Sequence, residues 1–209
     1  MSEINEITVT FFGKTGVGKS TTLNMLFNLN NKVNDTTSCT KKPKKTSINS
    51  FHFSGLNYKK VNVVDLPGIG ESISEDEKYM KYYKKWIPKS NVLVWITQSD
   101  TRAYKRDEIF LNKLLHLFHK SLYFIIAINK IEYLGCDSDE TIDIENKIFS
   151  SEQKSRVNEK INDIYYLFNK TIDKRIKFEK KNIIAYSALH NWGLDNLKNT
   201  IFKGDKKNV

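Results

Sequence analysis

Residues 13–20 read Gly-Lys-Thr-Gly-Val-Gly-Lys-Ser, the spacing of a phosphate-binding loop: Gly, four residues, Gly-Lys-Ser. Gly13, Gly16 and Gly18 let the backbone turn tightly enough to aim successive N–H groups at phosphate oxygens. A helix that follows adds the positive end of its dipole. Lys14, Thr15, Val17 and Thr21 line this cradle by position. Lys19 is placed to reach the β- and γ-phosphates as a point charge, and the Ser20 hydroxyl to complete the coordination of Mg²⁺.

Asp65 and Gly68 form a second element, Asp-Leu-Pro-Gly. In nucleoside triphosphatases an acid at such a place holds Mg²⁺ through water, the glycine N–H senses the γ-phosphate, and loss of that phosphate releases the loop. A third element, Asn129-Lys130-Ile131-Glu132, approaches the Asn-Lys-x-Asp that reads guanine. A carboxylate there accepts from the base N1–H and N2–H₂, two donors that adenine cannot present together. Glu132 is one methylene longer than the usual acid. Ser187-Ala188-Leu189 could offer a backbone N–H to the guanine O6.

These residues need strand ends and loops to hold them. Ile7, Val9 and Phe11 alternate with Thr8 and Thr10 as a strand does, and Leu23, Leu26 and Leu29 recur at helical spacing. Residues 30–47 are polar and aperiodic, which predicts an exposed loop. A strand from Ile48 with Phe51 and Phe53 inward, a turn over 55–58 and a strand over 61–65 follow. Tyr79, Tyr82, Tyr83 and Trp86 share a helix face that Pro88 ends. Apolar runs at 92–96, 122–128 and 183–186 read as strands covered on both faces. Helical patterns lie at Phe110, Leu114, Leu117 and Phe118, at Val157, Ile161, Ile164 and Phe168, and at Leu194, Leu197 and Ile201. This alternation predicts a doubly wound α/β sheet with its ligand at the carboxyl ends of the strands. Residues 135–152 read as an insertion or loose loop, 1–203 as one domain and 204–209 as a polar tail.

At 209 residues and 39% hydrophobic content the chain can bury a substantial core. It contains no apolar run near the ~20 residues that span a bilayer. Its start is acidic, which predicts a cytoplasmic protein. Cys39 and Cys136 are far apart and read as reduced thiols. His116 and His119 share a helix face without an evident third ligand. The net charge of +10 favours solubility and permits RNA or an anionic membrane as a partner.

In this order and on these elements, the motifs resemble the GTP-binding domain of the Era-like GTPases. Within them the chain resembles the YfjP-like or ribosome-binding-GTPase-like bacterial group. The narrower likeness rests on Cys39-Thr40-Lys41-Lys42-Pro43, Asp65-Leu66-Pro67-Gly68-Ile69-Gly70-Glu71, Asp100-Thr101-Arg102-Ala103 and Trp192-Gly193-Leu194-Asp195. It implies a P-loop NTPase fold: a mostly parallel six-stranded sheet with one antiparallel edge strand and helices on both faces. It also implies GTP/GDP and Mg²⁺ as cofactors, and Thr40 as the switch threonine that contacts metal and γ-phosphate, with Thr36 and Thr37 as rivals. Lys19, Thr40 and Gly68 would carry the chemistry, and Ser20, Thr40 and Asp65 the metal.

Ile69 stands where small Ras-like GTPases have a water-positioning glutamine, and an alkyl group cannot orient water. Gly16 occupies the slot from which an Asn in some relatives holds potassium. Slow intrinsic hydrolysis follows, with a partner protein or a second copy supplying what is missing. Arg102 is a candidate charge, and Lys41, Lys42, Lys44 and Lys45 form a basic cluster in the first switch. Ribosome association follows only from the family label. Two other functions stay open: a nucleotide-dependent dimerising module with incidental turnover, and an ATPase with the same loop.

The likeness also opens a second register. Relatives carry Asn-x-x-Asp followed by Lys-Ile-Glu, which would put Asn129 in the acid's slot and Ile126 in place of the structural amide. An amide at the base edge suits xanthine, whose carbonyl replaces a guanine donor. We prefer Asn129 as the structural amide and Glu132 as the acceptor, because the apolar run 122–128 then stays whole.

Overall fold

The computed structural model describes residues 3–30, 40–70, 72–134 and 150–204. The strands are β1 (Glu3–Gly13), β2 (Lys44–Phe53), β3 (Leu56–Asp65), β4 (Val92–Gln98), β5 (Tyr123–Asn129) and β6 (Ile183–Ala185). The helices are α1 (Lys19–Phe27), α2 (Ile73–Trp86), α3 (Lys105–Leu114), α4 (Ser151–Ile172) and α5 (Leu194–Gly204). The strands form a 6-stranded sheet in the order β2-β3-β1-β4-β5-β6. Only the β2–β3 pair is antiparallel. The strand order reverses beside β1, the switch point where open α/β sheets bind their ligands.

Adjacent residues of β1 serve opposite faces. Phe12 joins Trp95, Phe124, Phe168 and Tyr83 on the side of α2, α3 and α4. Phe11 joins Leu23, Leu197, Tyr186 and Phe202 on the side of α1 and α5. This is why the central strands read as unbroken apolar runs. Edge strand β2 is wet on one side: Phe51 and Phe53 pack on Phe202 at 4.9 and 5.4 Å between ring centroids, while His52 and Ser54 are exposed.

Three expected boundaries are corrected. β2 starts at Lys44, inside the stretch expected to be loop, because Lys44 to Ser47 pair with Asp65 to Asn62. An edge strand tolerates this polar run, since its outward groups stay hydrated. The hairpin turn is only Ser54 and Gly55, at φ 49° and 78°, the two-residue geometry that matches strand twist. Leu56 and Tyr58, expected in that turn, are therefore buried in β3. Finally α3 ends at Leu114, and Leu115–Leu117 tighten into a 3-10 turn. Residues 36, 37, 39 and 136, most of the segment expected as an insertion, and the tail from 205 lie outside the described residues.

Candidate functional site

The loop from Gly13 to Gly18 leaves β1 and enters α1, with Gly18 at the helix N-cap and φ 87°. No acidic residue stands in the first turn of α1, so its dipole is open to an anion. Gly18 is fixed by its backbone angle and by crowding, and Gly68 by crowding. A Cβ on Gly18 would lie 2.4 Å from Asn129 Nδ2, and one on Gly68 would lie 2.4 Å from Thr15 Oγ1. Gly16 instead faces open space. Lys19 is 8% exposed, and its ammonium folds over the loop to donate to the carbonyls of Gly13 at 3.3 Å and Lys14 at 3.1 Å. Val17 is buried, while Ser20 and Thr21 are half-buried at the start of α1.

Asp65 closes β3 beside this loop and is 4% exposed. Its Oδ2 accepts from Thr40 Oγ1 at 3.1 Å, and its Oδ1 is buried without a hydrogen-bond partner. Burial pushes the carboxyl above its ordinary range, opposed by the Lys19 cation and then by the Thr40 hydroxyl. Gly68 follows against Thr15. Ile69 is 4% exposed in the core; its carbonyl accepts from the Thr15 N–H, and its own N–H donates to the Gly13 carbonyl, both at 3.2 Å.

Across the loop, Asn129 Nδ2 donates to the Val17 carbonyl and Asn129 Oδ1 accepts from the Ala188 N–H, both at 2.9 Å. Lys130 sits in the left-handed region at φ 62°. Its ammonium donates to the Gly16 carbonyl at 3.0 Å and to Gln98 Oε1 at 3.3 Å. Glu132 lies in the turn Ile131–Tyr133, with Oε2 buried and without a hydrogen-bond partner. Ser187 is fully buried and exchanges backbone hydrogen bonds with Trp192 at 2.9 and 3.1 Å. Ala188 is buried next to it, and Leu189 is 69% exposed.

The residues of the phosphate loop, of Asp65–Gly68, of Asn129–Glu132 and of Ser187–Leu189 therefore converge at the carboxyl ends of β1, β3, β5 and β6. Lys14 is the exception: its side chain turns away from the cradle to Asp107 Oδ2 at 2.5 Å. Arg102 is exposed on the segment between β4 and α3. Lys44 and Lys45 belong to β2 rather than to a loop, and Lys45 stands 6.0 Å from the centroid of the Trp86 ring. Both ring nitrogens of His119 are engaged, with Ser121 Oγ at 3.0 Å and the Ser90 carbonyl at 2.9 Å.

Thr22 and Tyr186 were not singled out. Thr22 Oγ1 donates to the Gly18 carbonyl and meets Tyr186 Oη, both at 2.8 Å. Burial drives the Tyr186 phenol far up, so it remains a neutral hydrogen-bonding group under the loop. No spacing rule marks such a pair, because its members are 164 positions apart.

A family model described as "50S ribosome-binding GTPase" matches residues 8–130, more than half of the chain. The chain belongs to this GTPase family. It is 29% identical over 203 residues to the Escherichia coli (strain K12) protein YfjP, covering 93% of this chain and 62% of that one. The chain thus spans less than two thirds of that relative. It is also 30% identical over 195 residues to the probable GTP-binding protein EngB of Thermosipho africanus, covering 90% of this chain and 80% of the other. Among solved structures, Era in complex with MgGDPNP and nucleotides 1506–1542 of 16S ribosomal RNA superposes with a TM-score of 0.68 at 22% identity. That match covers 96% of this chain and 57% of Era. The GTPase domain has the expected P-loop NTPase architecture, with β2 as the antiparallel edge strand. No helix among the described residues is long and apolar enough to cross a membrane.

Proposed function

We propose that the chain is a conformational switch that binds GTP and hydrolyses it to GDP and phosphate with Mg²⁺. The observation that carries the reading is the buried, unpartnered Oδ1 of Asp65 beside Thr40 and Lys19. A carboxylate oxygen left without a donor in so buried a place costs stability unless a cation or its water meets it. Asp65, Thr40 and Ser20 are oxygen ligands of the type that suits Mg²⁺. Bound there, the metal would neutralise charge on the β- and γ-phosphates. Lys19 would give up the Gly13 and Lys14 carbonyls to reach the same oxygens, and the Gly68 N–H would report the γ-phosphate.

Guanine would be read by Glu132, whose Oε2 lacks a hydrogen-bond partner. Asn129 would act as the structural amide, as its two bonds to Val17 and Ala188 support. The Ser187 N–H is committed to Trp192. The Ala188 N–H is likewise committed to Asn129 Oδ1, so the Leu189 N–H would be the donor that this turn offers to the guanine O6. Residues 1–203 would work as one cytoplasmic GTP-binding domain.

Ile69 favours low intrinsic turnover, because its side chain is in the core and both its backbone groups are taken. An activating protein or a second copy across the nucleotide would complete the site. The family description and the charge of +10 make the ribosome the first partner to test. A second reading, a nucleotide-dependent dimerising module with incidental turnover, rests on the same burial of Ile69.

Phosphate release with Mg²⁺ and GTP, measured against protein concentration with and without ribosomes, tests the first reading. Size exclusion with GDP and with a non-hydrolysable GTP analogue tests the second. Absence of phosphate release under every condition, with a dimer formed only with the analogue, would favour the module.

A further inference from the structure

Lys14 carries more of the loop than its place between two motif glycines requires. Its carbonyl accepts from the Lys19 ammonium at 3.1 Å. Its backbone forms an isolated parallel bridge with Ile69, closed by the Thr15 N–H on the Ile69 carbonyl and the Ile69 N–H on the Gly13 carbonyl. Its side chain runs away from the cradle to Asp107, 2.5 Å from Nζ to Oδ2. The Asp107 carboxylate is 1% exposed and the Lys14 side chain 27%. Asp107 stands in the first turn of α3, where the helix dipole favours a carboxylate. Its other oxygen, Oδ1, is buried without a partner. Lys14 is therefore the cation that offsets a buried charge, and the pair has strong reason to persist.

We infer that Asp107 is a positioning residue for the phosphate loop: through Lys14 it anchors the loop's first turn, and the Ile69 bridge next to Gly68, to α3, and so sets how fast bound nucleotide leaves. The inference rests on reading residues 13–20 as the seat of a guanine nucleotide. Asp107 touches neither phosphate nor base; it acts through the backbone that does. A pair that merely held α3 to the sheet would affect unfolding alone. A pair that holds the loop must also change the opening of the two backbone bonds between Thr15, Gly13 and Ile69 in the folded chain.

Asp107→Asn keeps the shape and removes the charge, and Lys14→Met keeps the stem and removes the cation. Both are compared with Lys14→Met/Asp107→Asn. In the nucleotide-free chain each single change should speed amide hydrogen exchange at Thr15 and Ile69, while exchange in the middle of β5 stays unchanged. With a fluorescent GDP, each should raise the dissociation rate about tenfold and leave association nearly unaltered, the scale of a coupled pair expressed in opening rather than unfolding. The double variant should release GDP no faster than the faster single variant. Unchanged exchange at Thr15 and Ile69 overturns the inference, as does a lowered melting temperature with unchanged GDP release or a strictly additive double variant. If the wild-type chain binds no guanine nucleotide, the site reading fails instead, and the exchange result still decides the role of Asp107.

Discussion

Asn129 Nδ2 donates to the Val17 carbonyl at 2.9 Å, tying the end of β5 to the phosphate loop 112 positions earlier. The same amide accepts from the Ala188 N–H through Oδ1, so one side chain closes three segments around the base side of the site. Asn129→Ala leaves a buried carbonyl and a buried N–H without partners. Each such group costs about 1–3 kcal/mol. Urea unfolding of the nucleotide-free chain should therefore lose about 2 kcal/mol or more, and GDP affinity should fall with it. An unfolding midpoint equal to that of the wild type would contradict the role of Asn129 as a tie.

Lys19→Ala should abolish tight triphosphate binding. The loss is that of a charge-assisted donor to a phosphate, about 1.5–3 kcal/mol or more. Because Lys19 also caps the Gly13 and Lys14 carbonyls, the free loop should loosen as well. Ser20→Ala should act mainly on Mg²⁺ dependence. Titration calorimetry with a GTP analogue checks both, and an undiminished affinity in the Lys19 variant would remove the phosphate-loop reading.

Asp65 gives a prediction of opposite sign for stability and for binding. Burial raises its carboxyl above the ordinary value of 3.8, so the ionised form is disfavoured in the folded chain. The associated stability is present below that ordinary value and is lost as pH rises through the folded value. At neutral pH, without metal or nucleotide, Asp65→Asn should melt higher than the wild type, and the gap should close as pH falls toward 3.8. The same variant should lose Mg²⁺-dependent GTP binding. A lower melting temperature at neutral pH would show that the Thr40 and Lys19 interactions outweigh burial.

The sheet was legible because its central strands must be apolar on both faces, and the phosphate loop because a fixed spacing is needed to wrap a phosphate. Lys44 to Ser47 were not legible as strand, since only their partners on β3 reveal the pairing. Thr40 could be singled out by likeness, but its contact with Asp65 needed the fold. Asp107 looks like any acid opening a helix, a placement that the helix dipole alone explains. Its partner lies 93 positions away, beyond any local pattern. Tyr186 was legible only as an apolar strand end, and its hydroxyl role beneath Gly18 depends on Thr22.

Ile69 leads to a kinetic prediction. With its side chain buried in the core and its backbone bridged to the loop, it offers nothing to orient water. Turnover by the dilute chain should be well below about one per second. It should rise with protein concentration or an added partner. Single-turnover phosphate release across a dilution series measures this, and fast release that stays flat on dilution would mean that one chain holds a complete catalytic set.

The base read at Glu132 distinguishes the two registers. If Glu132 is the acceptor, its unpartnered Oε2 is filled by the N1–H and N2–H₂ donors of guanine. Xanthine presents a carbonyl to that carboxylate in place of N2–H₂, and adenine presents an N1 acceptor and a C2–H, neither of them a donor it can use. If Asn129 faced the base instead, its amide would have to abandon Val17 and Ala188, which are 2.9 Å away on either side. A missed buried hydrogen bond costs about 1–3 kcal/mol, so GTP should win over XTP and ATP by roughly tenfold or more. Glu132→Ala should weaken GTP, whereas Glu132→Asp, which restores the more usual acid, should preserve or improve it. Competition among the three nucleotides for the wild type and both variants reads this directly. XTP binding better than GTP would move Asn129 to the base edge and take Glu132 out of base recognition.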